Sequence, residues 1–439
     1  MSSPTMHGEE MQFVQEAFDR NWVAPVGFNC DGFETEMLKY LSAGSHYALA
    51  LSSCTSALHL AVKLAGIRPG DVVLCSDLTF VASANPVAYE GGVQVFVDSE
   101  RDTWNMDPLA LEKAFRKYPQ AKAVILVHLY GVPAKVAQIR EICKKYNAVL
   151  IEDAAEALSA TYCGRQCGTF GDYSTISFNG NKIITTSMGG MLITGNPEDR
   201  EKALRWATQS REDVPWYLHR EMGYNYRMSN ITAGIGRGQL LHLEAHRSKK
   251  ERIYRRYQEA FRNLPVRMNP YLEDSVPNFW LSCMLIEPEC GLKPMDILEA
   301  LEKENIEGRP IWMPMHLQPL FADRDFITVS EACVDEDIFA RGICLPSDIK
   351  MTDADQERVI RVVRSCFGRK AHVRPVLEKS IGYSSFPDGP GCAAAVVASA
   401  DGQRSHRSGW QPVFYPTASG KKRKIVQAGE VSVHAGSCG

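Results

Sequence analysis

The segment from Ala148 to Thr194 reads AVLIEDAAEALSATYCGRQCGTFGDYSTISFNGNKIITTSMGGMLIT. Its apolar run Ala148–Ile151 is typical of a buried strand, and the acid Asp153 stands just past the end of that run. Ser174–Phe178 predicts a second strand, which leads through an Asn-Gly-Asn turn to Lys182. A carboxylate at one strand end and a lysine just past another can therefore face one cavity.

The pairing of Lys182 with Asp153 suits pyridoxal 5'-phosphate (PLP). This cofactor needs an amine for a Schiff base and a carboxylate that keeps its ring nitrogen protonated. Lys182 is predicted to supply the amine and Asp153 the carboxylate. Ser177, five residues before Lys182, offers a hydroxyl to the phosphate. The alternative is a solvated turn lysine and a helix-capping aspartate, which is the better interpretation of either residue alone.

Strands and helices alternate on both sides of this segment, which indicates an α/β fold with a mainly parallel sheet. Further predicted strands are Tyr47–Leu51, Val72–Cys75, Val93–Val97, Ala123–Val127, Met191–Ile193, Trp280–Ile286 and Ile343–Leu345. Predicted helices include Glu9–Asn21, Phe33–Ser42, Lys135–Tyr146, Glu198–Ser210, Ile231–Leu243, Ala245–Leu264, Pro294–Glu304 and Asp353–Cys366. Ligands of such sheets bind at the carboxyl ends of the strands.

One predicted strand runs through a turn rich in hydroxyl groups, Ser52-Ser53-Cys54-Thr55-Ser56, into a helix that extends to Ala65. The free N–H groups and the dipole at a helix start bind phosphate. Thr55 and Ser56 are therefore candidate phosphate ligands. Ordinary helix capping by a serine or threonine is the alternative.

The length, composition and charge of the chain limit the classes of protein to which it can belong. The 439 residues suggest two domains, and 45% hydrophobic with 23% charged residues is typical of a globular chain. A net charge of -3 gives no reason to expect a nucleic-acid partner. No apolar run approaches the ~18 residues of a membrane span, and the N-terminus lacks a signal core. Thirteen cysteines then indicate reduced thiols and a cytoplasmic protein.

No metal site is expected from the closest cysteine pair. Cys163 and Cys167 have no matching histidine or cysteine pair nearby, so their spacing does not predict zinc.

Three phrases resemble the DegT/StrS family of PLP-dependent nucleotide-sugar aminotransferases, and the resemblance extends from Ser2 to Phe367. They are Glu152-Asp153-Ala154-Ala155-Glu156, Gly168-Thr169-Phe170-Gly171-Asp172 and Ser177-Phe178-Asn179-Gly180-Asn181-Lys182. The resemblance implies the aspartate-aminotransferase fold (fold type I). It also implies L-glutamate as amino donor, 2-oxoglutarate as its product and a nucleotide-linked keto sugar as acceptor. The branch that aminates carbon 4 of UDP-4-keto-6-deoxy sugars, of the bacillosamine and viosamine type, is the most similar.

The same resemblance implies roles for individual residues. It places Thr55 and Ser56 on the PLP phosphate, Phe80 on the pyridine ring and Glu156 beside the cofactor. Two further residues lie in a loop that relatives extend across a homodimer interface to the neighbour's PLP phosphate, namely Asn225 and Arg227. The substrate-side candidates are Arg309, Trp312 and His316.

The expected domain organisation has four parts. An N-terminal helical segment covers residues 1–24, a large PLP-binding domain covers 25–243, and a smaller C-terminal α/β domain covers 244–367. Residues 368–439 are rich in Gly, Ser, Ala and Pro and match nothing in the family, so we expect a disordered tail.

Several functions remain open from the sequence. UDP-4-keto-6-deoxy-GlcNAc is the first choice of substrate and UDP-4-keto-6-deoxy-glucose the second. Relatives that dehydrate sugars at carbon 3 carry histidine in place of the lysine, so Lys182 argues against that chemistry. A non-catalytic PLP-binding regulator and a structural α/β protein without cofactor are the alternatives from other classes.

Overall fold

Eight strands form the central sheet of the protein, whose computed structural model describes residues 1–370. In order across the sheet they are β1 (Tyr47–Leu51), β9 (Gly190–Thr194), β8 (Tyr173–Ser177), β5 (Val149–Asp153), β4 (Ala123–Val127), β2 (Val72–Ser76), β3 (Val93–Val97) and β14 (Asp325–Ile327). Every pair from β8 to β14 is parallel, and only β9 runs against its neighbours. The predicted mainly parallel α/β sheet is confirmed. The disordered tail was expected to begin at residue 368, but the last helix extends to Lys370, so that boundary was wrong by three residues; the rest of the prediction, for residues 371–439, lies outside the described residues.

Twelve helices accompany the strands among residues 1–370, and none of them is long and apolar enough to cross a bilayer. They are α1 (Glu9–Asp19), α2 (Phe28–Tyr40), α3 (Cys54–Leu64), α4 (Asn85–Tyr89), α5 (Pro108–Lys117), α6 (Val136–Tyr146), α7 (Pro197–Ala207), α8 (Asn230–Leu240), α9 (Leu243–Phe261), α10 (Pro294–Lys303), α11 (Val334–Arg341) and α12 (Asp353–Lys370).

Helices cover both faces of the central sheet. Side chains alternate along each strand, so Val73 and Cys75 of β2 pack on one face while Leu74 packs on the other. The first face meets α3 and α7, and the second meets α5 and α6. Because both faces are covered, a ligand can reach the sheet at the carboxyl ends of its strands.

A second sheet lies in the stretch that we assign to a smaller C-terminal domain. Its four antiparallel strands are, in order, β10 (Val266–Met268), β12 (Ser282–Ile286), β15 (Gly342–Leu345) and β13 (Arg309–Pro310). Helices α9, α10 and α12 pack against it. The chain returns to the central sheet within this stretch, because β14 pairs with β3. A small third sheet, which the sequence did not predict, contains β11 (Ser275–Val276), β6 (Thr161–Tyr162) and β7 (Arg165–Gln166).

The N-terminal helix α1 buries a different face from the one that its sequence predicts. Met11, Val14 and Phe18 suggested an apolar side for the core, yet Met11 is 64% and Phe18 57% exposed. The buried residues of α1 are Glu10 and Ala17. Helix α8 carries glycines against α1, and a Cβ at Gly238 would lie 2.6 Å from the Glu10 nitrogen. The close approach of two backbones therefore decides which side of α1 turns inward.

Candidate active site

A cavity of about 370 Å³ opens at the carboxyl ends of the parallel strands. The last residues of β4, β5 and β8 reach it, as does the first turn of α3. The side chains predicted to meet a cofactor ring line this one cavity, namely Lys182, Asp153, Glu156, Ser177, Thr55 and Phe80. The tertiary fold thus brings together residues that are up to 127 positions apart in the sequence.

Asp153 is the last residue of β5 and is almost fully buried. Its Oδ2 accepts a hydrogen bond from the Ser83 hydroxyl at 2.7 Å, and its Oδ1 accepts one from the Ala155 N–H at 3.1 Å. Burial raises the pKa of Asp153, while these two donors and the charge of Lys182 act in the opposite direction. A cationic ring nitrogen would compensate the carboxylate in this buried position.

Lys182 follows the turn after β8, and its side chain is 12% exposed. Its Nζ lies 3.3 Å from Glu156 Oε1 and 4.1 Å from the centre of the Trp280 ring. The Trp280 indole is fixed in turn by donating its N–H to the Asn181 carbonyl at 2.7 Å. A carboxylate and an aromatic face therefore hold the amine at the cavity wall.

Two residues of the site, Trp280 and Ser83, were not predicted from the sequence. Trp280 reaches Lys182 across 98 residues of chain, and no local pattern marks it. Ser83 lies three residues after Phe80 in a short 3-10 turn, and only its contact with Asp153 reveals its place.

Glu156 is a buried carboxylate that is hydrogen-bonded on both oxygens. Its Oε2 accepts the Tyr130 N–H at 2.7 Å, and its Oε1 faces Lys182. Burial raises the pKa of Glu156, and the Lys182 charge and the Tyr130 N–H partly offset that effect. A carboxylate this deeply buried must be hydrogen-bonded or protonated, and the two contacts meet that requirement.

We expect Glu156→Ala to lower the free energy of unfolding by about 1–3 kcal/mol, because the buried Tyr130 N–H loses its acceptor. Glu156→Gln keeps an oxygen for that N–H and should lose clearly less. Urea unfolding of both variants at neutral pH measures the difference. Equal losses in the two variants would contradict the assignment of this hydrogen bond as the cause.

The turn into α3 has the geometry of an anion site. Ser53 caps the helix by accepting the Ser56 N–H at 3.0 Å. The first N–H groups of any helix point along its axis and lack intrahelical partners, so those before Ser56 stay available to an anion. Thr55 lines the cavity, whereas the Ser56 hydroxyl is buried against Ser53 Oγ at 2.8 Å. Gly190 permits this arrangement, because a Cβ there would lie 2.3 Å from the Cys54 nitrogen.

Two of the three substrate-side candidates, Arg309 and Trp312, line the cavity. The Trp312 ring lies close to that of Phe80, with ring centres 5.6 Å apart. His316 does not line the cavity. Its Nδ1 lies 2.6 Å from Asp77 Oδ2 and its ring stacks on Phe326, so it belongs to a neighbouring cluster of polar residues.

The loop residues Asn225 and Arg227 differ in what they can offer to another subunit. Arg227 is committed within its own chain, because its Nη1 lies 2.6 Å from Glu34 Oε1 and 2.8 Å from the Ala50 carbonyl. Neither residue lines the cavity, and Asn225 is exposed. Both contacts use Nη1, so the role of Arg227 as a ligand of the neighbour's phosphate stays a prediction.

His128, which directly follows β4, is a core residue. Its Nε2 lies 2.9 Å from Glu152 Oε1, and its Nδ1 accepts the Ala134 N–H at 3.0 Å. An imidazole with both nitrogens engaged in the interior has no position open for a substrate.

The cavity fits PLP on three independent points. It supplies an amine at Lys182, a buried acid at Asp153 with neutral hydrogen-bond donors, and a helix start at Thr55 for a phosphate. Phe80 adds an aromatic face that is 56% exposed and open to stacking on a flat ring.

Comparison with known proteins agrees with this geometry. The profile of the DegT/DnrJ/EryC1/StrS aminotransferase family matches residues 4–364. The chain belongs to this family. It is therefore a transaminase-type enzyme, and PLP is its cofactor.

Individual relatives of this aminotransferase cover most of its length. It is 46% identical over 373 residues to EpsN of Bacillus subtilis, named as a candidate pyridoxal phosphate-dependent aminotransferase, with 84% of this chain and 95% of that protein covered. It is 36% identical over 365 residues to GDP-perosamine synthase of Caulobacter vibrioides, covering 82% and 96%. The solved aminotransferase TlmJ of Streptoalloteichus hindustanus superposes with a TM-score of 0.77 at 26% identity, covering 84% and 99%.

Proposed function

We propose that this sugar aminotransferase moves the amino group of L-glutamate to carbon 4 of a nucleotide-linked 4-keto-6-deoxy sugar. UDP-4-keto-6-deoxy-GlcNAc is the first choice of acceptor and UDP-4-keto-6-deoxy-glucose the second. The observation that carries the proposal is that Lys182 and Asp153 line one cavity at the carboxyl ends of the parallel strands. Bound PLP supplies an electron sink that stabilises negative charge on a carbon next to nitrogen.

The residues of the chain supply positioning and proton transfer. Asp153 holds the ring nitrogen in its protonated form, and Ser83 and Ala155 keep the carboxylate in place. Lys182 attaches the cofactor and, once released, carries the proton to or from the reacting carbon. Glu156 lies within hydrogen-bond distance of the Lys182 amine and orients it.

Space for a nucleotide-linked sugar adjoins the cofactor cavity. A second cavity of about 390 Å³ shares Asn181, Trp280, Arg309 and Trp312 with the first. Aromatic faces suit a sugar or a base, and a guanidinium suits a diphosphate. These features support Trp312 and Arg309 as substrate-side residues, and His316 is withdrawn from that role.

The acceptor can be identified by a half-reaction. The holoenzyme is converted to its aminated form with L-glutamate, freed of excess donor by gel filtration and mixed with single nucleotide keto sugars. The panel contains both UDP-linked 4-keto-6-deoxy sugars and a GDP-linked one, because one similar protein is named GDP-perosamine synthase. We expect UDP-4-keto-6-deoxy-GlcNAc to restore the aldehyde-form absorbance fastest. If 2-oxo acids restored the aldehyde-form absorbance and none of the keto sugars did, a sugar acceptor would be refuted.

The proposal includes a homodimer with shared active sites. It is supported by the exposure of Asn225 in its loop and by a run of exposed apolar side chains near the N-terminus, namely Met6, Met11, Phe18, Trp22, Val23 and Val26. Isolated exposed apolar residues are common, but six of them within residues 6–26 favour an interaction surface.

Subunit mixing tests this arrangement. Co-expressed Lys182→Ala and Asn225→Ala chains should recover roughly a quarter of wild-type activity, because each mixed dimer regains one intact site. Each variant alone should be impaired. The matched control mixes Lys182→Ala with Asp153→Asn, where both residues serve the site of their own chain and no recovery is expected. Absence of recovery in the first mixture would contradict shared sites.

A further inference from the structure

A second polar cluster lies outside the cofactor cavity. The imidazole of His316, the thiol of Cys333 and the carboxylate of Glu336 place one potential ligand atom each within 4.8 Å of one another. Cys333 and Glu336 stand at the start of α11, and His316 lies in the segment that follows Trp312. We call these three residues the α11 cluster.

The imidazole of the α11 cluster is oriented by a buried carboxylate. His316 Nδ1 lies 2.6 Å from Asp77 Oδ2, and Asp77 also accepts the His316 N–H at 2.8 Å. Asp77 is fully buried at the end of β2. This arrangement fixes Nδ1 as the protonated nitrogen and directs Nε2 toward Glu336. A carboxylate behind the far nitrogen of a histidine is the common support of a metal-binding imidazole.

The separation of the nitrogen and oxygen ligand atoms matches a small tetrahedral ion, and the sulfur lies within 4.8 Å of both. His316 Nε2 and Glu336 Oε1 are 3.2 Å apart. Two atoms bound at about 2.0–2.1 Å to one tetrahedral Zn²⁺ are separated by roughly 3.3 Å, and a thiolate at about 2.3 Å lies roughly 3.6 Å from them. Cys333 Sγ already accepts the Glu336 N–H at 3.4 Å, a contact that a thiolate keeps. The thiol also donates to Asp98 Oδ1 at 3.7 Å, and this contact is lost when the metal replaces the proton.

The surroundings carry more acid than base. Both oxygens of Asp335, which is fully buried beside the α11 cluster, lack a hydrogen-bond partner among the described residues. Asp77 and Asp98 are its charged neighbours, and Asp98 also accepts the N–H groups of Val334 and Asp335 at the helix start. The imidazole of His316 is the base that faces these acids. A divalent cation would add positive charge beside the carboxyl groups of Asp77, Asp98 and Glu336.

A second histidine, cysteine and carboxylate group is a useful contrast. His128, Glu152 and Cys167 also converge, but all three are buried. Glu152 is saturated there by the N–H groups of Gly168, Phe170 and Gly171 and by a serine hydroxyl. The α11 cluster is different, because the Glu336 side chain is 54% exposed and leaves a path for an ion and for a fourth ligand from solvent.

We propose that the α11 cluster binds one Zn²⁺ ion through His316 Nε2, Cys333 Sγ and Glu336 Oε1, with water as the fourth ligand. Nitrogen, sulfur and oxygen donors in a four-coordinate arrangement favour zinc over magnesium or calcium. Binding releases the Cys333 proton to solvent and leaves the oxidation state of the metal unchanged. The ion would tie α11 to the segment after Trp312, and so support the wall of the cofactor cavity.

Zinc titration of the full-length holoenzyme tests the site. Reduced, chelator-treated protein is titrated with Zn²⁺ in competition with a chromophoric chelator, and Co²⁺ is used separately to detect a thiolate–metal charge-transfer band. Wild-type protein should bind one ion per chain. Cys333→Ser should bind about 100-fold more weakly and lose the charge-transfer band, and Glu336→Gln should bind about 10-fold more weakly.

Cys163→Ser is the matched control, because Cys163 is an exposed thiol outside the α11 cluster. It should bind zinc like the wild type. Glu336 is a surface side chain, so Glu336→Gln remains informative even if the Cys333 variant fails to fold. The alternative is a protonated His316 that bridges Asp77 and Glu336 without metal. Equal zinc affinity in wild type and Glu336→Gln, or no stoichiometric zinc in the wild type, would establish that alternative and overturn the proposal.

Discussion

Lys182→Ala is expected to lower transamination by at least about 10⁴-fold, because the variant loses both the covalent attachment point and the proton carrier of the site. The structure gives Lys182 no substitute among the described residues that line the cavity, where Arg309 is the other basic side chain. Arg309 cannot serve, since a guanidinium stays protonated at neutral pH.

Three measurements check this result. Steady-state turnover should fall to background, borohydride reduction should no longer fix the cofactor to the peptide that contains residue 182, and the absorbance of the covalently held cofactor should disappear. Lys144→Ala is the control, because Lys144 is an exposed lysine whose ion-pair partner within residues 1–370 is Glu141. Full activity in Lys182→Ala would refute the enzyme scheme, and unchanged cofactor binding with no activity in the wild type would favour a non-catalytic PLP-binding regulator.

Asp153→Asn should produce the second-largest loss, about 10²–10³-fold in kcat/KM, because a preorganised charge that stabilises the protonated ring is removed. The asparagine oxygen can take the place of Oδ1 and accept the Ala155 N–H, while its NH2 group takes the place of Oδ2 and can donate to Ser83 Oγ, so the shape of the site is kept. Ser83→Ala removes one hydrogen bond to the carboxylate and should cost about tenfold, or about 1.4 kcal/mol.

In the absence of cofactor, Asp153→Asn should have a higher free energy of unfolding than the wild type. Burial raises the pKa of Asp153 above its unfolded value, so the ionised carboxylate lowers the free energy of unfolding at neutral pH. Asparagine removes that cost, and the advantage should shrink as the pH falls into the range where aspartate is protonated in both states. Urea unfolding of cofactor-free wild type and Asp153→Asn at neutral and acidic pH measures this. Loss of stability together with loss of activity would indicate that Asp153 is only structural.

Much of the fold followed from patterns that are local in the sequence. Strands β1, β3 and β4 begin and end where the apolar runs predict, because a strand buried on both faces is apolar along its whole length. The site was partly predictable for a related reason. Parallel strands bring their carboxyl ends to one edge, so Asp153 after one apolar run and Lys182 after another were expected to meet there.

Contacts between distant segments account for what the sequence missed. The predicted apolar side of α1 is exposed because the glycines of α8 admit the Glu10 and Ala17 side instead. Arg227 is drawn to Glu34, 193 residues away, and His316 to Asp77, 239 residues away. Each of these contacts depends on the positions of two polar side chains in the folded chain. The spacing of residues within a short segment does not predict those positions.

The sequence by itself determined the family, the class of sheet and the two groups that we propose to hold a PLP ring, since strand periodicity and the ends of apolar runs are properties of short segments. The tertiary structure alone decided the orientation of α1, the partners Ser83 and Trp280 at the site, and the convergence of His316, Cys333 and Glu336. The physical reason is that electrostatic and packing contacts form between surfaces, and those surfaces exist only after the segments that carry them have folded together.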